Sequence, residues 1–189
     1  YTARVTHKAS GCSATTPDTG AIAVKYDDAA PTAKNVTTTI YGCSIDDAHA
    51  VTKYNNVIAA NASDFRFDIY DSITPVDSLT LTLTHTEAKT EDLPDGVCYQ
   101  LVRTYTVTDQ CGFSTTFTHK INVKQADFTL PANGSSTVAC PSATDTPPTL
   151  PIVTDACGNT LSPIGDPVVS TKPDCEGTRT YTYTYKDCA

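Results

Sequence analysis

Eight cysteines in 189 residues, at positions 12, 43, 98, 111, 140, 157, 175 and 188, constrain this chain more than any other feature. The count is even and no two lie nearer than 13 residues, so the close ligand pairs typical of structural zinc sites are absent. Disulfides in an oxidising compartment are the reading this pattern favours. The pattern also repeats. Cys98 and Cys111 are 13 apart, as are Cys175 and Cys188, and each pair encloses an Arg-Thr-Tyr-Thr segment. The turns "VTDQCG", "VTDACGN" and "YKDCA" echo one another as well. Internal duplication follows, with four cysteines in each of two modules.

The spacings predict a first module over 1–125, elaborated by an insertion at about 44–97. A minimal second module follows over 126–189, lacking its last strand. Four cysteines allow three connectivities. Cys98 and Cys111 flank an extended run of thirteen steps, roughly 40 Å at 3.3 Å per residue. A disulfide needs Cα atoms within ~7 Å, which argues against that pair and its counterpart Cys175–Cys188. In a Greek-key sandwich the remaining loops meet so as to predict Cys12–Cys98, Cys43–Cys111, Cys140–Cys175 and Cys157–Cys188.

Threonine supplies 34 of the 189 residues, and its placement matters more than its number. Residues 78–86 read "SLTLTLTHT", with Leu79, Leu81 and Leu83 on one face. Residues 103–108 and 179–185 alternate in the same way, the signature of half-buried strands. Further strands are expected over 21–26, 35–41, 64–70, 114–123, 136–139 and 150–154. Only 45–54 tolerates a helical reading. Short strands separated by Pro, Gly and Asp turns predict an all-β chain of tandem Ig-like β-sandwich modules stapled by disulfides.

The frame "TLPANGSSTVACP…IVTDACGN…CEGTRTYTYTYKDCA" resembles the HYR-like (hyalin-repeat-like) modules of large Bacteroidetes cell-surface proteins. "RTYTVTDQCGFSTTFTHKINV" looks like the closing half of the same unit, so the resemblance covers most of 98–189. It implies an Ig-like fold in a tandem array, as in gliding-motility adhesins of the SprB type exported by type IX secretion. It also implies an extracellular, cell-surface location, with neighbouring repeats as partners and a surface polysaccharide or substratum as the thing bound. It transfers no catalytic residue.

The rest of the sequence agrees with a non-catalytic part. No GxSxG elbow, HExxH helix or Walker loop occurs. With pI ≈ 4.7 and 13 Lys and Arg, the chain is a poor match to nucleic acid. No apolar run approaches the ~18–20 residues of a spanning helix, so direct membrane insertion is not expected. His85 and His119 fall on strands and read as solvated or half-buried positions. No cofactor is expected. Calcium is the alternative, with Asp27, Asp28, Asp46, Asp47, Asp64, Asp68, Asp71 and Asp77 as oxygen donors and the loops after Tyr41 and Tyr70 as first places to look. Ser72 and Ser78 lie in "DSI" and "DSL", which resemble the Bacteroidetes O-glycosylation pattern. Asn61–Ser63 is one of three N-glycosylation sequons. Tyr54 and Tyr70 are candidates for a sugar-stacking surface, against the plainer reading of core or sheet tyrosines. A spacer beside a secreted hydrolase is the other alternative.

Overall fold

The computed structural model describes residues 27–188 in full, and the backbone of β1 (Ala3–Thr6) and β2 (Ser13–Thr16), an antiparallel pair. Cys12 and the strand expected over 21–26 lie outside the fully described residues. The fold is an all-β sandwich with a few short helices. Its main sheet has the order β3–β6–β5–β4, from β3 (Val36–Tyr41), β4 (Thr80–Lys89), β5 (Tyr99–Thr108) and β6 (Ser114–Lys124). β4, β5 and β6 are antiparallel neighbours, whereas β3 pairs with β6 in parallel.

The period-two pattern works as expected in the centre of the sheet. Leu101, Arg103, Tyr105 and Val107 of β5 all face inward, as do Phe117, His119, Ile121 and Val123 of β6. Leu79, just before β4, and Leu81 within it face the same core. The register then shifts between Leu83 and His85, and the strand from His85 to Ala88 is exposed.

The segment expected as an insertion closes the other side of the core. Helix α1 (Ile45–Ala50) lays Ala48 on Leu101, Ile121 and Val123. Helix α2 (Val57–Ala62) places Val57 and Ala60 beside Phe67, Tyr105 and Phe117. The segment expected as a strand over 64–70 is irregular and holds a single bridge, Tyr70 to Thr32. Its alternation is real, since Phe67 and Ile69 are buried. Arg66 and Asp68 flank Phe67 at φ 45° and 47°, however, and left-handed residues cannot continue a ladder. Asn61 replaces the missing partner: its amide donates to Ile69 O and accepts from Ile69 N. That engagement commits the Asn61 side chain of the sequon to the fold.

The start of α1 shows how the local sequence sets the chain direction. Ser44 caps the helix, and Asp47 Oδ2 accepts from the backbone N–H of Cys43 and Ser44. These two donors hold the Asp47 carboxyl below the usual carboxylate range. A Cβ at Gly42 would stand 2.5 Å from Asp47 Oδ2, so only glycine fits there.

The second module is thinner. Its described strands are β7 (Val153–Thr154), β8 (Thr160–Leu161), β9 (Val168–Val169) and β10 (Tyr181–Thr182), in two antiparallel pairs. Val153 is its one fully buried apolar residue among those described, and the strand expected over 136–139 does not form. No helix among the described residues is long and apolar enough to cross a membrane.

Candidate metal centre and the disulfides between modules

The parallel pairing of β3 with β6 decides which cysteines can meet. Both strands run toward the end of the sheet where β6 leaves for the second module, here the trailing end. Cys43 follows β3 there, and Cys98 precedes β5 there, its N–H donating to Val123 O. Cys111 follows β5 at the opposite, leading end, ten strand residues away.

Two disulfides then run from the trailing end of the first module into the second. Cys43 joins Cys157 with Cα atoms 5.5 Å apart, and Cys98 joins Cys188 with Cα atoms 5.1 Å apart. The expected Cys43–Cys111, Cys12–Cys98 and Cys157–Cys188 pairings are therefore corrected. The expectation treated each module as closed on itself and placed Cys43 beside Cys111, which the parallel strand forbids. The expected Cys140–Cys175 pair is corrected too: both thiols are free and exposed. Cys111 is also disulfide-bonded.

Cys111 and Cys157 occupy the same kind of turn. In the first, Asp109 Oδ1 accepts from Cys111 N and Phe113 N; in the second, Asp155 Oδ1 accepts from Cys157 N and Asn159 N. Gly112 and Gly158 take the left-handed position in each, at φ 90° and 83°. The other carboxylate oxygen separates the two turns. Asp155 Oδ2 accepts from the Asn159 amide at 2.9 Å. That amide heads the hydrogen bonds that hold the Asp155 carboxyl below its ordinary range. Phe113 stands where Asn159 would, and Asp109 Oδ2 is buried with no partner.

Asp109 is not alone at the leading end. Asp71 Oδ1 accepts from Ile73 N and Thr74 N, and Asp27 Oδ2 accepts from Thr74 Oγ1. Each of the three aspartates is 6% exposed, and Asp27 Oδ1, Asp71 Oδ2 and Asp109 Oδ2 are buried without a hydrogen-bond partner. One carboxylate oxygen from each lies within 4.8 Å of the others. Oxygen-only donors of this kind suit a hard divalent cation.

The loop after Tyr70 thus does contribute, through Asp71. The loop after Tyr41 does not: Asp47 caps α1 and Asp46 is exposed. Asp28, Asp64 and Asp77 are exposed, and Asp68 pairs with Lys34. Sequence reasoning missed Asp109, although "VTDQCG" had marked it as part of a repeated turn.

The remaining candidates are scattered. Tyr54 is half-buried with its ring edge-on to Phe67 at 5.5 Å, whereas Tyr70 is 59% exposed. Ser72 is exposed between Asp71 and Ile73, and Ser78 Oγ donates to Asp77. His85 is exposed. His119 is fully buried between Phe65 and Phe67, with Nε2 2.8 Å from Thr38 Oγ1. Burial, and then the positive charge of Arg103, lower its pKa to about 4.

Arg103 was not singled out in the sequence, yet it is the largest fully buried side chain. Its guanidinium donates to Ala48 O, His49 O and Thr52 O, capping the negative end of α1. Arg179 repeats the arrangement in the second module. It donates to Thr144 O and pairs with Asp145, at the end of the short 3-10 helix Pro141–Asp145.

Residues 128–189 match the family model described as a HYR-like domain with 4 cysteines. No curated protein and no solved structure matches the chain. The matched segment carries Cys140, Cys157, Cys175 and Cys188, and modules of this kind occur as repeats in extracellular, cell-surface proteins.

Proposed function

We propose that this chain is a non-catalytic structural stretch of a large extracellular adhesin or surface filament, holding a distal site away from the cell and bearing load. The resemblance of 98–189 makes gliding or surface adhesion, after export by type IX secretion, its setting. The observation that carries the reading is that Cys43–Cys157 and Cys98–Cys188 bind one module to the next. Tension applied at the two ends then has a covalent route no longer than 1–43, the first bond and 157–189.

Pulling the chain by its ends tests this directly. The first bond leaves at most 76 residues on the covalent path, so the oxidised chain extends no further than about 270 Å at ~3.5 Å per residue. With the disulfides reduced, the same chain extends to about 660 Å. Equal extension in both states contradicts a load path through the disulfides.

A further inference from the structure

We propose that Asp27, Asp71 and Asp109 form a calcium site at the leading end of the first module. Three carboxylates each nine-tenths buried, with one oxygen apiece unpartnered, have lost water without gaining donors. Like charges at this spacing repel, and burial weakens the screening that would make that tolerable. The protein has not answered with a cation of its own: no Lys or Arg pairs with any of the three among the described residues. Instead each carboxylate commits one oxygen to a hydrogen bond, Asp71 and Asp109 within their own loops and Asp27 to Thr74, and leaves the other uncommitted. That division of labour is how loop carboxylates are prepared for a metal. The Asp155 turn is an internal control, because there an amide from the same turn caps the second oxygen.

Calcium fits better than magnesium. It accepts irregular oxygen sets and carbonyl ligands, while magnesium demands an octahedron and retains several waters, for which so buried a cluster has little room. The ion would tie together three segments far apart in sequence, at residues 27, 71 and 109, and so stiffen the end opposite the Cys43–Cys157 and Cys98–Cys188 bonds.

Thermal unfolding of the full chain in CaCl2, MgCl2 and EDTA tests the site, together with calorimetric titration of CaCl2. Asp109→Asn and Asp71→Asn are the informative variants, because Asn Oδ1 can still accept the turn N–H groups while the charge is gone. Calcium at 100-fold over its dissociation constant is expected to raise the midpoint of the parent chain by about 5–10 °C. The rise is expected to disappear in either variant, and in EDTA the variants are expected to melt no lower than the parent. A parent midpoint indifferent to calcium, a calcium rise surviving in both variants, or an equal response to magnesium overturns the proposal.

The two free thiols carry a second inference, which rests on the proposed function and extends it. Cys43 is followed by a helix whose terminal carbonyls take Arg103, and Cys140 by a helical turn whose terminal carbonyl takes Arg179. Cys98 and Cys175 stand five and four residues before those arginines. Cys140 and Cys175 are thus the counterparts of Cys43 and Cys98, the two that reach into the next module. We infer that they bond the second and fourth cysteines of a further four-cysteine module, so that the second module gives two bonds forward as it receives two from behind. Each bond forms as the two thiols pass two electrons and two protons to an external disulfide, which leaves as two thiols.

The test is the full chain with a second copy of 126–189 appended, oxidised with glutathione disulfide and mapped by mass spectrometry without reduction. Cys140 is expected on the appended copy of Cys157, and Cys175 on that of Cys188. A Cys140–Cys175 bond, or an appended module closed on itself, overturns the inference. If Cys43–Cys157 and Cys98–Cys188 persist in that case, the load-bearing reading stands without it.

Discussion

Dithiothreitol is expected to unfold the second module while the core of the first stays folded. Every fully buried apolar residue described lies in the first module except Val153. The second module has strands of two residues each and leaves Ile152 80% and Val168 75% exposed. So small a buried surface cannot offset the conformational entropy of ordering some 60 residues, at roughly 1–2 kcal/mol for each backbone. The disulfides supply the difference by restricting the unfolded chain. With sequence separations of 114 and 90, chain entropy alone assigns about 4–5 kcal/mol to the first bond closed, and less to the second, whose loop the first has already shortened. Hydrogen exchange read by segment checks this. Protection is expected to vanish from β7–β10 on reduction and to persist in β5 and β6, and the paired substitutions Cys43→Ser and Cys98→Ser are expected to reproduce the loss. Simultaneous loss across both modules would show that they fold as one unit.

Arg103→Met is expected to cost about 3–5 kcal/mol, the largest effect of any single non-cysteine change. The guanidinium is fully buried and satisfies three carbonyls at the end of α1 and just beyond it. Methionine fills much of the volume but leaves those acceptors unpaired, so the penalty is mainly one of lost donors. Denaturant unfolding measures the cost. A spectroscopic titration of His119 in the same variant isolates the charge: with Arg103 gone its pKa is expected to rise from about 4, while burial still holds it below 6.5. A cost below about 1 kcal/mol, with His119 unmoved, would mean that Arg103 merely fills space.

The central strands were legible because the residues that alternate are the residues that pack, as Leu79, Leu81, Tyr105 and Val107 show. The same rule misread 64–70, where Phe67 and Ile69 reach the core from a backbone that Arg66 and Asp68 turn out of the extended region. Helix α2 was invisible, since "VIAANA" is too short to display a helical period and its cap rests on Asn56. Arg103 stood in phase with Tyr105 and Val107 throughout, and only its charge disguised it as an outward residue. The cysteine pairing failed for a topological reason. Nothing in the spacing announces that β3 runs parallel to β6, and that one pairing sends Cys43 to the end where the second module waits. Of the calcium donors, Asp27 and Asp71 were in view, but Asp109 is set apart only by the absence of an amide at Phe113.

Covalent bonds between the modules are tested by a mass-spectrometric disulfide map of the unreduced chain. Proteolysis is expected to yield linked peptides containing Cys43 with Cys157 and Cys98 with Cys188. Linked peptides containing Cys157 with Cys188, or Cys43 with Cys111, would return each module to itself and remove the load path between them.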